Sequence, residues 1–185
     1  MTAQRTAAAA AVDGAPSAVE PRPGLRILVL DDSAEDRLLA VRTLKREFPT
    51  VETVELSDAE TLAAALAAGG FDLVLTDYVM HFTDGLAVLA AVKERYPECP
   101  VVMVTGTGNE EVAVKAMKSG LDDYIVKSTR HYQRLPGAIS AALGRARERR
   151  HTRELERRWA AARRGMAERG FGRVVNVASD AGRVG

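Results

Sequence analysis

Short, almost wholly apolar runs alternate along this chain with longer segments in which apolar residues recur every three or four positions. A near-continuous apolar run favours a strand buried on both faces of a parallel sheet, whereas the longer period favours an amphipathic helix. We therefore predict five strands, at residues 25–30, 51–55, 71–76, 101–105 and 124–126. The second strand alternates polar and apolar residues, so we expect it nearer an edge of the sheet.

The segments between these strands predict helices with recognisable ends. Asp32 or Ser33 can cap the first helix, whose inward apolar stripe is expected to include Leu38. Ser57 and Glu60 have the spacing of a capping box for the second helix. The predicted helices cover residues 34–48, 58–68, 85–96 and 110–119, and a fifth begins near residue 130.

Strands that alternate with helices in this way indicate an α/β fold, a doubly wound five-stranded parallel sheet. Right-handed connections place helices on both faces of such a sheet. Ligands bind at the carboxyl ends of its strands, so polar residues at those ends are candidates for chemistry.

The two ends of the chain differ from this pattern. Residues 1–24 contain Pro16, Pro21 and Pro23 and lack apolar periodicity, so we expect a disordered N-terminal arm. The compact domain is expected to span residues 25–144, followed by an arginine-rich helical extension over 145–170 and a disordered tail over 171–185. A continuous helix over residues 131–164 would be ~50 Å long. Gly165 is expected to end it.

Composition and charge exclude several classes of protein. No apolar run approaches the roughly 20 residues of a membrane helix, and a single cysteine excludes an internal disulfide or a cysteine-cluster metal site. A cytoplasmic location is therefore expected. The net charge of +1 hides an asymmetry, since residues 25–130 carry 18 acidic and 11 basic side chains, whereas residues 131–185 carry 5 and 13.

Acidic and cationic residues follow the predicted strands. Asp31 and Asp32 end the first strand, Asp77 ends the third, and Thr105 and Lys127 end the fourth and fifth. If the first and third strands are neighbours, three carboxylates converge, and they require a cation to stay ionised together. Oxygen ligands favour Mg²⁺. With a hydroxyl and an ammonium group nearby, this set suits phosphoryl transfer to an aspartate.

Five segments together resemble the response-regulator receiver domain of two-component signalling. They are ILVLDDS at 27–33, LVLTDYVM at 73–80, DGL at 84–86, VVMVTGTG at 101–108 and AMKSGLDDYIVK at 116–127. The resemblance covers about residues 25–130 and implies a flavodoxin-like sheet with strand order 2-1-3-4-5. It also implies a phosphoryl donor, either a histidine kinase or a phosphotransfer protein.

The resemblance implies a role for each matching residue. Asp77 would be the phosphorylation site. Asp32, Asp77 and the backbone carbonyl of Val79 would bind Mg²⁺ directly, and Asp31 would act through water. The phosphoryl group would be held by Lys127 and Thr105, and Tyr124 would turn inward as Thr105 moves. Such a protein modifies itself and is not expected to be a metabolic enzyme.

The chain departs from the family pattern at three places. His81 stands where the family usually has proline, and we interpret it as an exposed loop residue, with a place near the phosphate as the alternative. Ser128 replaces the proline after Lys127; a cis bond there would cost about 3 kcal/mol, so a trans loop is expected. Val79 and Thr107 predict slow hydrolysis of the phosphoaspartate, because the valine side chain cannot orient an attacking water.

Three interpretations of the arginine-rich extension remain open. It can be a solvated helix without a specific role, a helix for homodimerisation or partner binding, or a contact for nucleic acid or acidic lipid through its arginines. We favour the second, because a short apolar stripe recurs at helical spacing, at Leu155, Trp159, Ala162 and Met166. Nucleic acid is disfavoured because the sequence shows no DNA-recognition motif such as a helix-turn-helix.

Two alternatives concern the protein as a whole. The chain can also be the receiver domain of a larger hybrid kinase. A Mg²⁺-dependent phosphatase is disfavoured because it would need an acidic residue as proton donor at position 79, where this chain has Val79.

Overall fold

Strands and helices alternate as the apolar pattern predicts. In the computed structural model, which describes residues 24–106, 110–127 and 132–168, the strands are β1 Arg26–Leu30, β2 Glu52–Leu56, β3 Leu73–Asp77, β4 Val101–Thr105 and β5 Asp123–Val126. The helices are α1 Ala34–Glu47, α2 Ala59–Ala68, α3 Gly85–Arg95, α4 Glu110–Lys118 and α5 Leu135–Glu168. The expected N-terminal arm up to residue 23, Thr107, Ser128 and the tail over 171–185 lie outside the described residues.

The five strands form one parallel sheet in the order β2-β1-β3-β4-β5, which confirms the predicted fold. All residues of the inner strands β3 and β4 are buried. The edge strand β2 buries only Leu56 fully, as its mixed pattern indicates. Because β1 lies beside β3, the residues that follow these two strands lie close together at the carboxyl ends of the strands.

Two hydrophobic clusters cover the two faces of the sheet. One joins it to α1 and to the first turns of α5 through residues such as Leu44 and Ile139. The other joins it to α2, α3 and α4 through residues such as Leu66, Leu89 and Ala116. This two-sided packing explains why the strands are apolar on both faces.

A buried ion pair lies at the amino-terminal ends of β4 and β5. The Lys93 ammonium is 3.1 Å from Oδ2 of Asp122 and donates a hydrogen bond to the Cys99 carbonyl. The same carboxylate oxygen accepts a hydrogen bond from the Val101 backbone nitrogen. One carboxylate and one ammonium thus fix the start of β4 at the end of the sheet away from Asp77.

Two details of the helical predictions were wrong. Asp58, not Ser57, caps α2, because its carboxylate accepts a hydrogen bond from the Thr61 backbone nitrogen at 2.8 Å. Leu38 is exposed, since the inward stripe of α1 runs through Ala40, Val41 and Leu44 and places Leu38 on another side of the helix.

The last helix also differs from its predicted bounds. A 3-10 turn at Tyr132–Arg134 precedes α5, and Pro136 lies in the first helical turn, where a missing backbone N–H costs little. Gly165 does not end α5, which continues to Glu168. A single glycine inside a helix costs about 1 kcal/mol relative to alanine, too little to terminate it.

The described residues fall into two compact units, one ending at Gly144 and the other beginning at Arg145. In the second unit the apolar side chains of Leu155, Trp159 and Met166 are exposed. No helix among the described residues has the length and apolar character needed to cross a bilayer.

Candidate functional site

Three carboxylates converge at the carboxyl ends of β1 and β3, as predicted from the strand ends. Asp31 and Asp32 follow β1, and Asp77 is the last residue of the neighbouring β3. One carboxylate oxygen from each lies within 4.8 Å of the other two. We call Asp31, Asp32 and Asp77 the acidic cluster.

Lys127 supplies a positive charge to this cluster from the end of β5. Its ammonium nitrogen lies 2.7 Å from Oδ2 of Asp31 and 2.8 Å from Oδ2 of Asp77. Its backbone nitrogen donates a hydrogen bond to the Thr105 carbonyl, which ties the end of β5 to the end of β4. The Lys127 side chain is only 13% exposed, so these ion pairs are screened little by water.

A fourth carboxylate, which sequence reasoning missed, also contacts Lys127. Asp36 lies in the first turn of α1, and its Oδ2 is 2.8 Å from the ammonium nitrogen. Ser33 caps this helix and accepts a hydrogen bond from the Asp36 backbone nitrogen. An acidic residue in a first helical turn is ordinary, so the sequence contained no signal that it reaches the site.

Burial and charge act in opposite directions on the groups of the site. Burial raises the pKa of the Asp31 carboxyl above its ordinary value, and hydrogen bonds from Lys127 and Ser33 offset only part of that rise. For Lys127, burial alone would lower the pKa, but hydrogen bonds to Asp31, Asp36 and Asp77 raise it above the ordinary lysine value. The ammonium therefore stays charged beside the carboxylates.

Asp32, the most exposed member of the acidic cluster, has a separate partner. The backbone nitrogen and the ring Nδ1 of His81 each lie 2.8 Å from its Oδ2. These hydrogen bonds lower the pKa of the Asp32 carboxyl. His81 is thus an exposed loop residue, as we interpreted it, and it contacts Asp32; the alternative, a place near the phosphate, stays a prediction.

Tyr132 is a second residue that sequence reasoning did not single out. It lies in the 3-10 turn before α5, is half-buried, and packs against the cluster between the sheet and α1. Burial and the negative charge of Asp36 raise the pKa of its phenol to about 12. A neutral phenol therefore lies close to the ionised groups of the site.

The remaining predicted site residues lie around this centre. Thr105 is fully buried at the end of β4. Tyr124 in β5 is half-buried and packs against the cluster that joins the sheet to α2, α3 and α4. Val79 lies in the loop after β3, bridges to Asp84, and is 61% exposed as a residue. Their roles in binding and switching stay predictions.

The donor set of the acidic cluster fits a hard divalent cation. Three carboxylates lie close together, and oxygen atoms are the ligands that Mg²⁺ prefers. Two of them share one ammonium, while Asp32 is held by a histidine. The cluster therefore keeps an excess of negative charge that a metal ion would neutralise.

The chain is similar to a transcriptional regulatory protein and to a chemotaxis protein over slightly more than half of its length. It is 39% identical over 102 residues to the transcriptional regulatory protein ResD of Bacillus subtilis, and the match covers 55% of this chain and 41% of ResD. It is 32% identical over 105 residues to the chemotaxis protein CheY of Pseudomonas aeruginosa, covering 56% of this chain and 84% of CheY.

A solved structure and a family model agree with this similarity. The crystal structure of NtrX from Brucella abortus matches with a TM-score of 0.66 and 35% identity, over 73% of this chain and 31% of NtrX. The chain thus spans less than half the length of ResD and of NtrX. The family model of the response regulator receiver domain matches residues 27–139, more than half of the chain. This chain belongs to the response regulator receiver domain family.

Proposed function

We propose that the chain accepts a phosphoryl group on Asp77, with Mg²⁺ bound at the acidic cluster, from a histidine kinase or a phosphotransfer protein. The observation that carries the proposal is the Lys127 ammonium, 2.8 Å from Oδ2 of Asp77 inside a cluster of carboxylates. In this function the chain modifies itself and is not a metabolic enzyme. A cytoplasmic location is part of the proposal.

The geometry supports a direct transfer to the carboxylate. An oxygen of Asp77 attacks phosphorus, the bond from phosphorus to the donor nitrogen breaks, and the donor leaves with the electron pair. Lys127 stabilises the negative charge of the transferred group from a position that the ion pairs already fix. Asp32, Asp77 and the Val79 carbonyl would hold Mg²⁺ directly and Asp31 through water, and the ion would supply charge neutralisation to the phosphoryl oxygens.

Thr105 and Tyr124 are the proposed switch residues. Thr105 is buried at the end of β4. Met103, two residues earlier in the same strand, pairs with Tyr124 in β5. A phosphoryl group on Asp77 would draw the Thr105 hydroxyl towards it. Tyr124 would then turn inward and change the surface formed by β5 and its flanking helices.

The test is phosphorylation by a small-molecule phosphodonor, followed by intact-mass measurement. Wild-type protein with Mg²⁺ should gain one phosphoryl group, and EDTA or the Asp77→Asn variant should abolish the gain. Asp58→Asn is the matched control, because Asp58 caps α2 and asparagine is an equally good cap. An Asp77→Asn protein that is still phosphorylated would contradict the proposal.

A second part of the proposal concerns the output. Leu155, Trp159, Ala162 and Met166 follow one another at intervals of four, three and four residues along α5, and Trp159 is 70% exposed. This spacing is that of a coiled-coil seam. We propose that the helix from Arg145 onwards associates with a second copy of the chain. Nucleic acid is the alternative partner, because the helix carries many arginines.

Light scattering on a sizing column separates these outputs. The protein is run with Mg²⁺ alone and with Mg²⁺ plus beryllofluoride, which mimics an aspartyl phosphate. A dimer that is lost in the Trp159→Ala variant supports self-association through the helix. If the dimer forms only with beryllofluoride, self-association depends on phosphorylation. A monomer under all conditions contradicts self-association. A salt-sensitive DNA shift would then favour nucleic acid.

ResD and NtrX suggest a further possibility for the whole protein. Each is more than twice as long as its matched segment, and ResD is named as a transcriptional regulator. We propose that the phosphorylated domain can serve a larger regulator or a hybrid kinase as well as act alone. The phosphorylation chemistry at Asp77 would be the same in each case.

A further inference from the structure

Two hydrogen-bond donors of His81 converge on a single oxygen of Asp32. The backbone nitrogen and the ring Nδ1 each lie 2.8 Å from Oδ2, although the two residues are 49 positions apart in the chain. A carboxylate oxygen only accepts hydrogen bonds, so Nδ1 carries a hydrogen in this contact. Both bonds use Oδ2, and the second oxygen of Asp32 takes no part in them.

The loop around His81 is anchored in the fold, whereas the imidazole side chain itself is 69% exposed. The loop that carries it is closed by the bridge between Val79 and Asp84 and by a hydrogen bond from the Gly85 nitrogen to the Tyr78 carbonyl. The imidazole ring lies edge-on to Phe82, with ring centroids 5.3 Å apart. Phe82 in turn packs against the cluster between the sheet and α2, α3 and α4.

Asp32 needs such support more than its neighbours do. The side chains of Asp31 and Asp77 are each only 9% exposed and share the Lys127 ammonium, whereas that of Asp32 is 26% exposed and contacts His81. The contact with His81 is present while Asp32 still has an oxygen within 4.8 Å of the other two carboxylates. The contact with His81 therefore occurs while the three carboxylates are gathered at the acidic cluster.

We propose that His81 is a positioning residue that holds Oδ2 of Asp32 and so presents the other oxygen to the metal ion. This inference rests on the proposed function and extends it to a residue outside the carboxylate set. Partners of this kind set the orientation of a metal-binding carboxylate, and their loss commonly lowers metal affinity by about tenfold or more. Proline, which the family usually has at this position, would supply neither donor.

Titration calorimetry with MgCl₂ on metal-free protein tests the proposal. His81→Ala removes the ring donor and keeps the backbone N–H, so we expect binding about tenfold weaker. His81→Asn places an amide nitrogen where Nδ1 stands and should restore affinity to within about threefold of wild type. His81→Pro removes both donors and should bind most weakly. His151→Ala, the same change at an exposed histidine of α5, is the matched control and should leave affinity unchanged.

The outcomes separate this inference from the proposed function. If wild-type protein binds no Mg²⁺, the proposed function fails, and the inference fails with it. If wild-type protein binds Mg²⁺ and His81→Ala binds it equally well or more tightly, only the role of His81 is overturned. Equal losses in His81→Ala and His81→Asn would also overturn it, because a lost donor would then not be the cause. Thermal melts identify any variant that does not fold, and the alanine and asparagine variants suffice if the proline variant fails.

Discussion

The Lys127 ammonium and the Asp36 carboxylate form an ion pair of 2.8 Å that joins the end of β5 to the first turn of α1. Lys127 also contacts Asp31 and Asp77, so one cation holds carboxylates from three different elements. Because all three contacts depend on a single side chain, Lys127 should matter for stability as well as for phosphoryl transfer.

Replacing Lys127 with methionine should destabilise the fold. The change leaves three carboxylates without their cation, and loss of one partner from a buried pair costs about 3–5 kcal/mol. Urea unfolding at neutral pH in EDTA measures the loss, with Lys118→Met at an exposed position of α4 as control. Mg²⁺ should restore part of the lost stability if it binds the freed carboxylates. Equal stability of Lys127→Met and wild type would contradict this prediction.

Replacing Asp36 with asparagine should have a much smaller effect on stability. Its side chain is 36% exposed, and ion pairs of exposed groups contribute at most about 1 kcal/mol. Asp31 and Asp77 still satisfy the lysine in this variant. The same urea experiment measures the difference, and a loss as large as that of Lys127→Met would show that Asp36 is an equal partner.

Asp31 should reduce stability at neutral pH. Burial raises its pKa in the folded state, so the native protein holds this proton more tightly than the unfolded chain, and ionisation destabilises the fold. Asp31→Asn should therefore raise the melting temperature at pH 7 in EDTA by roughly 2–4 °C. The difference from wild type should fade as the pH falls and vanish below the ordinary value of 3.8. A difference that persists at low pH would point to another cause.

Gly85 should be essential for the approach of α3 to β3. A Cβ there would lie 2.7 Å from the Asp77 carbonyl oxygen and 2.9 Å from the Met103 side chain. We expect Gly85→Ala to cost about 1–3 kcal/mol. Gly144→Ala is the matched control, because nothing lies within 4 Å of its added Cβ, and in a helix it should gain about 0.5–1 kcal/mol. If Gly85→Ala left the free energy of unfolding unchanged, the backbone around residue 85 would have moved to accommodate the added methyl group.

Val79 should prolong the life of the phosphorylated state. Its exposed side chain offers no hydrogen bond to an attacking water, whereas an amide there can orient one. Val79→Asn should shorten the phosphoaspartate lifetime by roughly tenfold, measured by the decay of the phosphorylated mass after the donor is removed. Val79→Ala removes the apolar bulk without adding an amide and should leave the lifetime near that of wild type. An unchanged lifetime in Val79→Asn would contradict the prediction.

The sequence predicted the architecture better than it predicted individual contacts. Residues 101–105 were predicted as a strand with the bounds that β4 has, because an unbroken apolar run has few alternatives. The convergence of Asp31 and Asp77 followed from the rule for strand ends in parallel sheets. The contacts of Asp36 and His81 did not follow, because each spans a long stretch of chain and depends on how a helix start or a loop is placed in space.

The buried pair of Lys93 and Asp122 differs in charge balance from the group of side chains around Lys127. At the amino-terminal ends of β4 and β5, the Lys93 ammonium is paired with the single carboxylate of Asp122. At the carboxyl end, one ammonium is divided among Asp31, Asp36 and Asp77. A mobile cation therefore gains more electrostatic energy beside Asp77, where carboxylates outnumber the ammonium, than beside the compensated pair of Lys93 and Asp122.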